Sequence, residues 1–202
     1  MDGGYQDYIV VDQKQLYPYD PAVSFETAAL AEPFSIASNI LERTQLTAKD
    51  NLLIIGSGTI GLSVLQAAKS IGAKVMVADI VEKKLAIAKE MGADWIVNSS
   101  REDLTAAVNQ YVPCGFDVVL DAVGVTPLFM QSLQYAAPRA RVGCIGFDTK
   151  PAEIPPVTVT KKELSIIGSR MNCFQFPTVI QWLNSGKICG EKMISRAAPH
   201  NC

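Results

Sequence analysis

Asn51 to Gly61 reads NLLIIGSGTIG, a short apolar strand that runs straight into Gly56, Gly58 and Gly61 and then into a helical pattern. The spacing G-x-G-x-x-G between a strand and a helix is the dinucleotide-binding fingerprint in the setting that gives it meaning. Gly56 can take the tight turn, Gly58 leaves room for the backbone to approach a pyrophosphate, and Gly61 lets the helix pack closely on its strand. The phosphates belong at that helix's N-terminus, where free N–H groups and the dipole favour negative charge. Glycine-rich turns arise often, so the residues downstream decide. Ile60, Val64, Ala67, Ala68 and Ile71 recur at helical spacing, Gly72 ends the helix, and KVMVA from Lys74 to Ala78 makes a second strand. That strand ends in Asp79, about twenty positions beyond the glycines, where a carboxylate accepts hydrogen bonds from the adenosine ribose. The same charge repels a 2′-phosphate, which favours NAD over NADP. Asp79 also reads as a cap for the helix that begins just after it, and the two roles are compatible.

Beyond Asp79 the alternation keeps the length scale of parallel-sheet crossovers. A helix from Glu82 to Met91 carries Leu85, Ala88 and Met91 on one face and ends at Gly92. A strand follows at Trp95 to Val97, a helix at about Glu102 to Tyr111, and a strand at Phe116 to Asp121. Then come a helix near Pro127 to Ala137 and a strand from Arg141 to Phe147. After the proline-rich connection PAEIPPVTVTKK, another strand reads ELSIIG, and a last helix runs from about Pro177 to Ser185. Six strands with intervening helices predict an α/β fold, a doubly wound six-stranded parallel sheet of the Rossmann kind. Two parts lie outside it. GGYQDYIVVDQKQLYPY holds a strand-like run that lacks obvious neighbours, and SFETAALAEPFSIASNILER reads as a capped helix, a proline break and a second helix. The end, ISRAAPHNC, is short and polar.

Composition agrees. The chain has 202 residues, 49% apolar and 19% charged, enough for one full α/β domain with an attachment. A formal net charge of −2 without a basic run gives no reason to expect nucleic acid or an anionic membrane. No apolar run reaches the roughly 18 residues of a bilayer span and no signal-peptide pattern is visible, so the expectation is a cytoplasmic protein. Cys114, Cys144, Cys173, Cys189 and Cys202 are scattered without a C-x-x-C pair, and read as reduced thiols, mostly buried.

Taken in order, GGYQDYIVV, ALAEPFSIASN and NLLIIGSGTIGLSVLQAAKSIGAKVMVADIVEKKLAIAKEMGADW resemble the middle of a zinc-type medium-chain alcohol dehydrogenase, within the sorbitol, threonine and galactonate dehydrogenase group. KKELSIIGSRMN and FPTVIQWLNSGKI look closest to its bacterial starvation-sensing dehydrogenase-like subgroup. The resemblance reaches to about Ile194. It implies that Gly56, Gly58, Thr59, Ile60 and Gly61 form the pyrophosphate turn, Asp79 the ribose acid, and Lys84 an adenosine-side lysine. It further implies that Ile80 and Val123 pack about the adenine, and that Ile145, Gly146 and Phe147 form the strand end beside the nicotinamide. Lys84 also reads as a solvated helix lysine, Val123 as plain core, and Arg170 as either a cleft or a surface arginine. The proline-rich AEIPPV, Ala152 to Val157, lies where relatives pair an edge strand across a two-fold axis, which implies a homodimer.

Glu32, in the AEP triplet, matches an acidic residue at the family's catalytic zinc. A usable zinc site needs about three protein ligands and an open position. The family's cysteine and His-Glu ligands belong to an N-terminal barrel-like, GroES-like catalytic domain with no counterpart in this sequence, nor is the four-cysteine lobe of the structural zinc present. His200 is the lone histidine, in the tail. Hydride transfer from an alcohol needs the alkoxide stabilised and its proton removed, which that zinc and its relay perform. Asp121 and Glu42 have no partner that suggests a catalytic pair. The expected division is therefore 1–24 as a remnant of the catalytic domain, 25–190 as an NAD-binding Rossmann domain and 191–202 as a tail. The function implied is the NAD(H)-binding domain of a zinc-type alcohol or polyol dehydrogenase, acting on a small alcohol, polyol or sugar acid where active, with zinc itself absent and turnover impaired. Two alternatives stay open: a stand-alone NAD-binding module of regulation or assembly without catalysis, and an active reductase in which a partner chain supplies the missing domain.

Overall fold

A computed structural model describes residues 6–194. Six strands, β1 Asn51–Ile55, β2 Lys74–Asp79, β3 Trp95–Asn98, β4 Phe116–Asp121, β5 Ala136–Cys144 and β6 Ser165–Gly168, form one sheet in the order β3-β2-β1-β4-β5-β6. Every pair is parallel. The chain builds outward from β1 to β3, returns through the helix α5, Leu104–Tyr111, and sets β4 on the other flank of β1. That reversal opens a crevice at the carboxyl ends of β1 and β4. The expected doubly wound sheet is the one observed.

Both faces of the sheet are covered, which is why β1 is apolar almost throughout rather than alternating. Leu52 and Ile54 pack with Ile40, Val64, Leu65 and Leu85 on one side. Leu53 and Ile55 pack with Val108, Leu133 and Val142 on the other. The helices on the first side are α2 Ala31–Arg43, α3 Thr59–Ile71 and α4 Glu82–Glu90; on the second, α5 and α6 Thr126–Tyr135. A third cluster, with Phe34, Val179 and Leu183, joins α2 to α8, Phe176–Asn184.

Several boundaries differ from the sequence reading. The run Tyr8 to Val11 forms no strand, and Tyr8 and Val10 are 91% and 100% exposed. A strand-like run cannot make a strand without a partner. The helical break falls at Leu30, after α1, Phe25–Ala29, and not at Pro33. Pro33 sits in the first turn of α2, where the N–H it lacks has no intrahelical acceptor anyway. Strand β5 starts five residues earlier than read, at Ala136 rather than Arg141, and ends at Cys144; Ala136 and Ala137 extend the helical pattern of α6 in the sequence, and Pro138 reads as a break before the strand. The proline-rich connection contains a short helix, α7 Pro156–Thr160, whose leading proline is suited to a first helical position. Cys114, Cys173 and Cys189 are exposed rather than buried, and Cys144 is half-buried. Each of the exposed three lies in a turn or loop. Cys202 and His200 fall outside the described residues. No helix among them is long and apolar enough to cross a membrane.

Candidate dinucleotide site

The glycine turn closes between β1 and α3. Gly56 has φ +101°, a left-handed conformation that any L side chain resists. A Cβ on Gly61 would lie 1.9 Å from the Gly56 carbonyl oxygen, so the helix can start this close to its strand only with glycine there. Gly58 is the N-cap of α3 and supplies no side-chain cap; Thr59 and Ile60 are the first helical residues. The first-turn N–H groups are thus left for an external acceptor. A Cβ on Gly58 would meet no atom within 4 Å.

Asp79 closes β2 and faces the turn. Its Oδ2 accepts from the Ser57 N–H at 2.7 Å and from the Ser57 hydroxyl at 2.6 Å. Its Oδ1 accepts from the Val81 N–H at 2.9 Å. Partial burial works against ionisation, but the Ser57 hydroxyl, the Ser57 and Val81 N–H groups and the Lys84 charge outweigh it. The carboxyl is held below its ordinary value. Ser57 is 1% exposed. Sequence reasoning missed it because the middle residue of G-x-G is unconstrained by the motif. A serine able to reach the strand-end acid was the available signal.

A cavity of about 630 Å³ lies over these groups. It brings together Gly56, Gly58, Asp79, Ile80, Lys84 and Val123, all read from the sequence. Ile80 and Val123 are 66% and 48% exposed, so Val123 is not plain core. Its Cγ2 stands 2.6 Å from where a Gly56 Cβ would be. Lys84 is solvated in the first turn of α4 and acts on Asp79 through its charge. Thr105, Leu128, Gln131 and Tyr135 complete the far wall. Those side chains come from α5 and α6, remote in sequence, and no motif announces them.

The predicted nicotinamide end lies apart. Ile145 is in the core at 7% exposure. Gly146 and the exposed Phe147 line a cleft of about 460 Å³ with Arg43, Ser169 and Arg170. The Arg170 guanidinium carbon sits 4.9 Å from the Phe147 ring centroid, a cation–π contact. Asp121, 1% exposed, holds the loop between the two regions: its Oδ1 accepts from the N–H groups of Val123 at 3.0 Å and Gly124 at 3.1 Å. Burial and the nearby Asp121 charge push the Cys144 thiol up. Glu42 accepts from Gln175, a structural tie between α2 and α8.

Glu32 is exposed in the first turn of α2. Among the described residues no three His, Cys, Asp or Glu side chains gather to hold a metal. One carboxylate does not fit what zinc requires of a protein.

The chain is 37% identical over 198 residues to the starvation-sensing protein RspB of Escherichia coli strain K12, covering 96% of this chain and 58% of that protein. A crystal structure of an alcohol dehydrogenase (rspB) from E. coli CFT073, complexed with NADH, superposes with a TM-score of 0.89 at 37% identity, over 95% of this chain and 57% of that one. A zinc-binding dehydrogenase of Sinorhizobium meliloti 1021, bound to NADP, gives a TM-score of 0.91 at 29% identity, over 96% of this chain and 58% of that one. The chain thus spans somewhat under three fifths of the relatives it matches. The family described as zinc-binding dehydrogenase matches residues 59–185, more than half of this chain and all of its sheet from α3 to β6, and it is to that family that the chain belongs.

Proposed function

We propose that this chain is the NAD(H)-binding part of a zinc-type alcohol dehydrogenase whose intact form moves hydride between a secondary alcohol, polyol or sugar acid and NAD. The observation that carries the reading is the ionised Asp79 carboxylate at the tip of β2, facing the same cavity as Gly56 and Gly58. Bound NAD(H) supplies hydride chemistry, and the chain's own residues hold and orient it. The uncapped first turn of α3, at Gly58, Thr59, Ile60 and Gly61, receives the pyrophosphate. Asp79 accepts from the ribose while Lys84 balances its charge. Ile80 and Val123, both exposed and both lining the cavity, offer apolar surface to the adenine. Gly146, Phe147 and the backbone at Ile145 form the nicotinamide end. Glu32 stands as a vestigial metal position. Residues 1–24 are assigned to the remnant of a catalytic domain, 25–190 to the coenzyme domain and 191–202 to a tail. A cytoplasmic homodimer is the expected form.

Coenzyme choice is the test. Relatives include one solved with NADH and one with NADP, so the preference has to come from this chain's residues. NADH should bind more tightly than NADPH by titration calorimetry, because a fixed negative carboxylate repels the 2′-phosphate. Asp79→Asn should narrow the gap by about tenfold, the worth of roughly one charged hydrogen bond. Equal or stronger NADPH binding by the unmodified chain sinks the reading.

A further inference from the structure

The Asp79 carboxylate is already mostly engaged. A carboxylate offers about four acceptor sites, two on each oxygen. Oδ2 receives both the N–H and the hydroxyl of Ser57, at 2.7 and 2.6 Å. Oδ1 receives only the Val81 N–H, at 2.9 Å. One acceptor site therefore remains, on Oδ1, while a ribose diol brings two hydroxyls. Ser57 itself is sealed from the cavity, at 1% exposure, and does not line it. Any effect it has on a ligand must pass through Asp79.

We infer that Ser57 is a positioning residue for coenzyme selection: its buried hydroxyl pins Oδ2 so that Oδ1 alone reads the adenosine ribose, and the carboxylate can neither turn away from nor yield to a 2′-phosphate. The terminal torsion of an aspartate is soft, so a carboxylate held by backbone donors alone keeps some freedom to rotate. The short hydroxyl contact removes that freedom. It also favours the ionised form, which is the form that repels phosphate. The inference rests on the coenzyme reading above and deepens it, turning a single acidic residue into a two-residue selector.

A double-mutant cycle tests it, read as the ratio of NADPH to NADH dissociation constants in the whole chain. Ser57→Ala should reduce the NADH preference several-fold, by no more than the about tenfold of Asp79→Asn, since Ser57 acts only through that carboxylate. In the Asp79→Asn background the same substitution should leave the ratio unchanged, since the two act as a unit. The pH at which the NADH preference disappears should move upward in Ser57→Ala, a response that loss of packing alone does not give. Ser57→Cys fills the site with a slightly larger side chain that donates only weakly, and should fall between serine and alanine; it carries the test if the alanine variant does not fold. An unmodified chain that prefers NADH while Ser57→Ala keeps both its ratio and its pH profile overturns this inference alone. Equal effects of Ser57→Ala with aspartate or asparagine at 79 overturn it too. A chain that binds neither coenzyme overturns the coenzyme reading, and this one with it.

Discussion

A Cβ added to Gly58 meets no atom within 4 Å, whereas one added to Gly61 lies 1.9 Å from the Gly56 carbonyl oxygen. The two glycines of one motif therefore answer to different constraints, and substitution should separate them. Gly61→Ala forces α3 away from β1 and should cost about 1–3 kcal/mol in urea unfolding, as overpacking does. Gly58→Ala has an accessible backbone, φ −72°, and should change stability by less than about 1 kcal/mol, the difference between two weak caps. Its methyl enters the cavity where the pyrophosphate is expected, so NADH binding should fall at least about tenfold. Stability loss in Gly58→Ala with NADH affinity intact would reverse the assignment. These positions were legible in the sequence because backbone geometry dictates residue type at a strand-to-helix turn. Asp79 was legible for a similar reason, its distance from the glycines being set by one crossover. Ser57, Gln131 and Tyr135 were not, since each matters only through what the fold places beside it. Composition suggested buried thiols, but three of the cysteines landed in turns and loops, where local chain direction and not apolarity fixes exposure.

Between elements, charged groups do the joining that the apolar pattern leaves undone. Asp94, just before β3, accepts from Lys69 Nζ of α3 at 2.7 Å and from the Val75 N–H of β2 at 2.7 Å. Arg141 of β5 donates to the carbonyls of Thr44 at 2.7 Å and Gln45 at 2.9 Å, closing the C-terminus of α2, and pairs with Asp50 at 2.6 Å. Lys162 does the same for α6, donating to the carbonyls of Gln134 at 2.8 Å and Ala136 at 2.7 Å. Burial opposes ionisation of Asp94, but the Lys69 hydrogen bond, the Val75 N–H and the Lys69 charge together hold its carboxyl below its ordinary value. A depressed carboxyl contributes stability that is present above its unfolded value and lost as the pH falls through the folded one. Asp148 shares that window: the N–H groups of Lys150 and Thr126 and the Thr126 hydroxyl lower its carboxyl to about 2. Unfolding free energy should therefore drop steadily below about pH 4. Asp94→Asn should cost about 1 kcal/mol at neutral pH, discounted for partial exposure, and flatten the acid limb. An acid limb equally steep in the variant would remove Asp94 from the account. The ties between elements were not visible in the sequence, because they join residues far apart along the chain. The strands and long helices were, since their apolar periods extend over whole elements. The elements misread, β5, α7 and the N-terminal run, are those where proline or a missing neighbour overrides the local pattern.

At the scale of the molecule, the sheet ends on β6, whose outer edge has no strand partner among the described residues. Ser165, Ile166 and Gly168 are exposed along it, Ile166 at 42%. An open parallel edge of this kind is a template for another strand, and a two-fold axis lets a second copy supply it with the same residues. The sequence placed the pairing segment at Ala152 to Val157. That segment forms no strand, and Ile154 packs against the core beside α6, so Ile154→Asp would injure folding and report nothing about an interface. Ile166→Lys is the informative change, since a lysine on an edge strand blocks pairing while the strand's inner ladder to β5 is kept. Light scattering at micromolar concentration should give about twice 21.8 kDa for the unmodified chain and close to 21.8 kDa for Ile166→Lys. A monomer in both rejects association. A dimer that survives the lysine moves the contact elsewhere, first to the exposed N-terminal apolar residues Tyr8 and Val10. In that case truncating Tyr8 and Val10 to alanine should release the monomer, and the β6 edge would have to be protected by its short length alone.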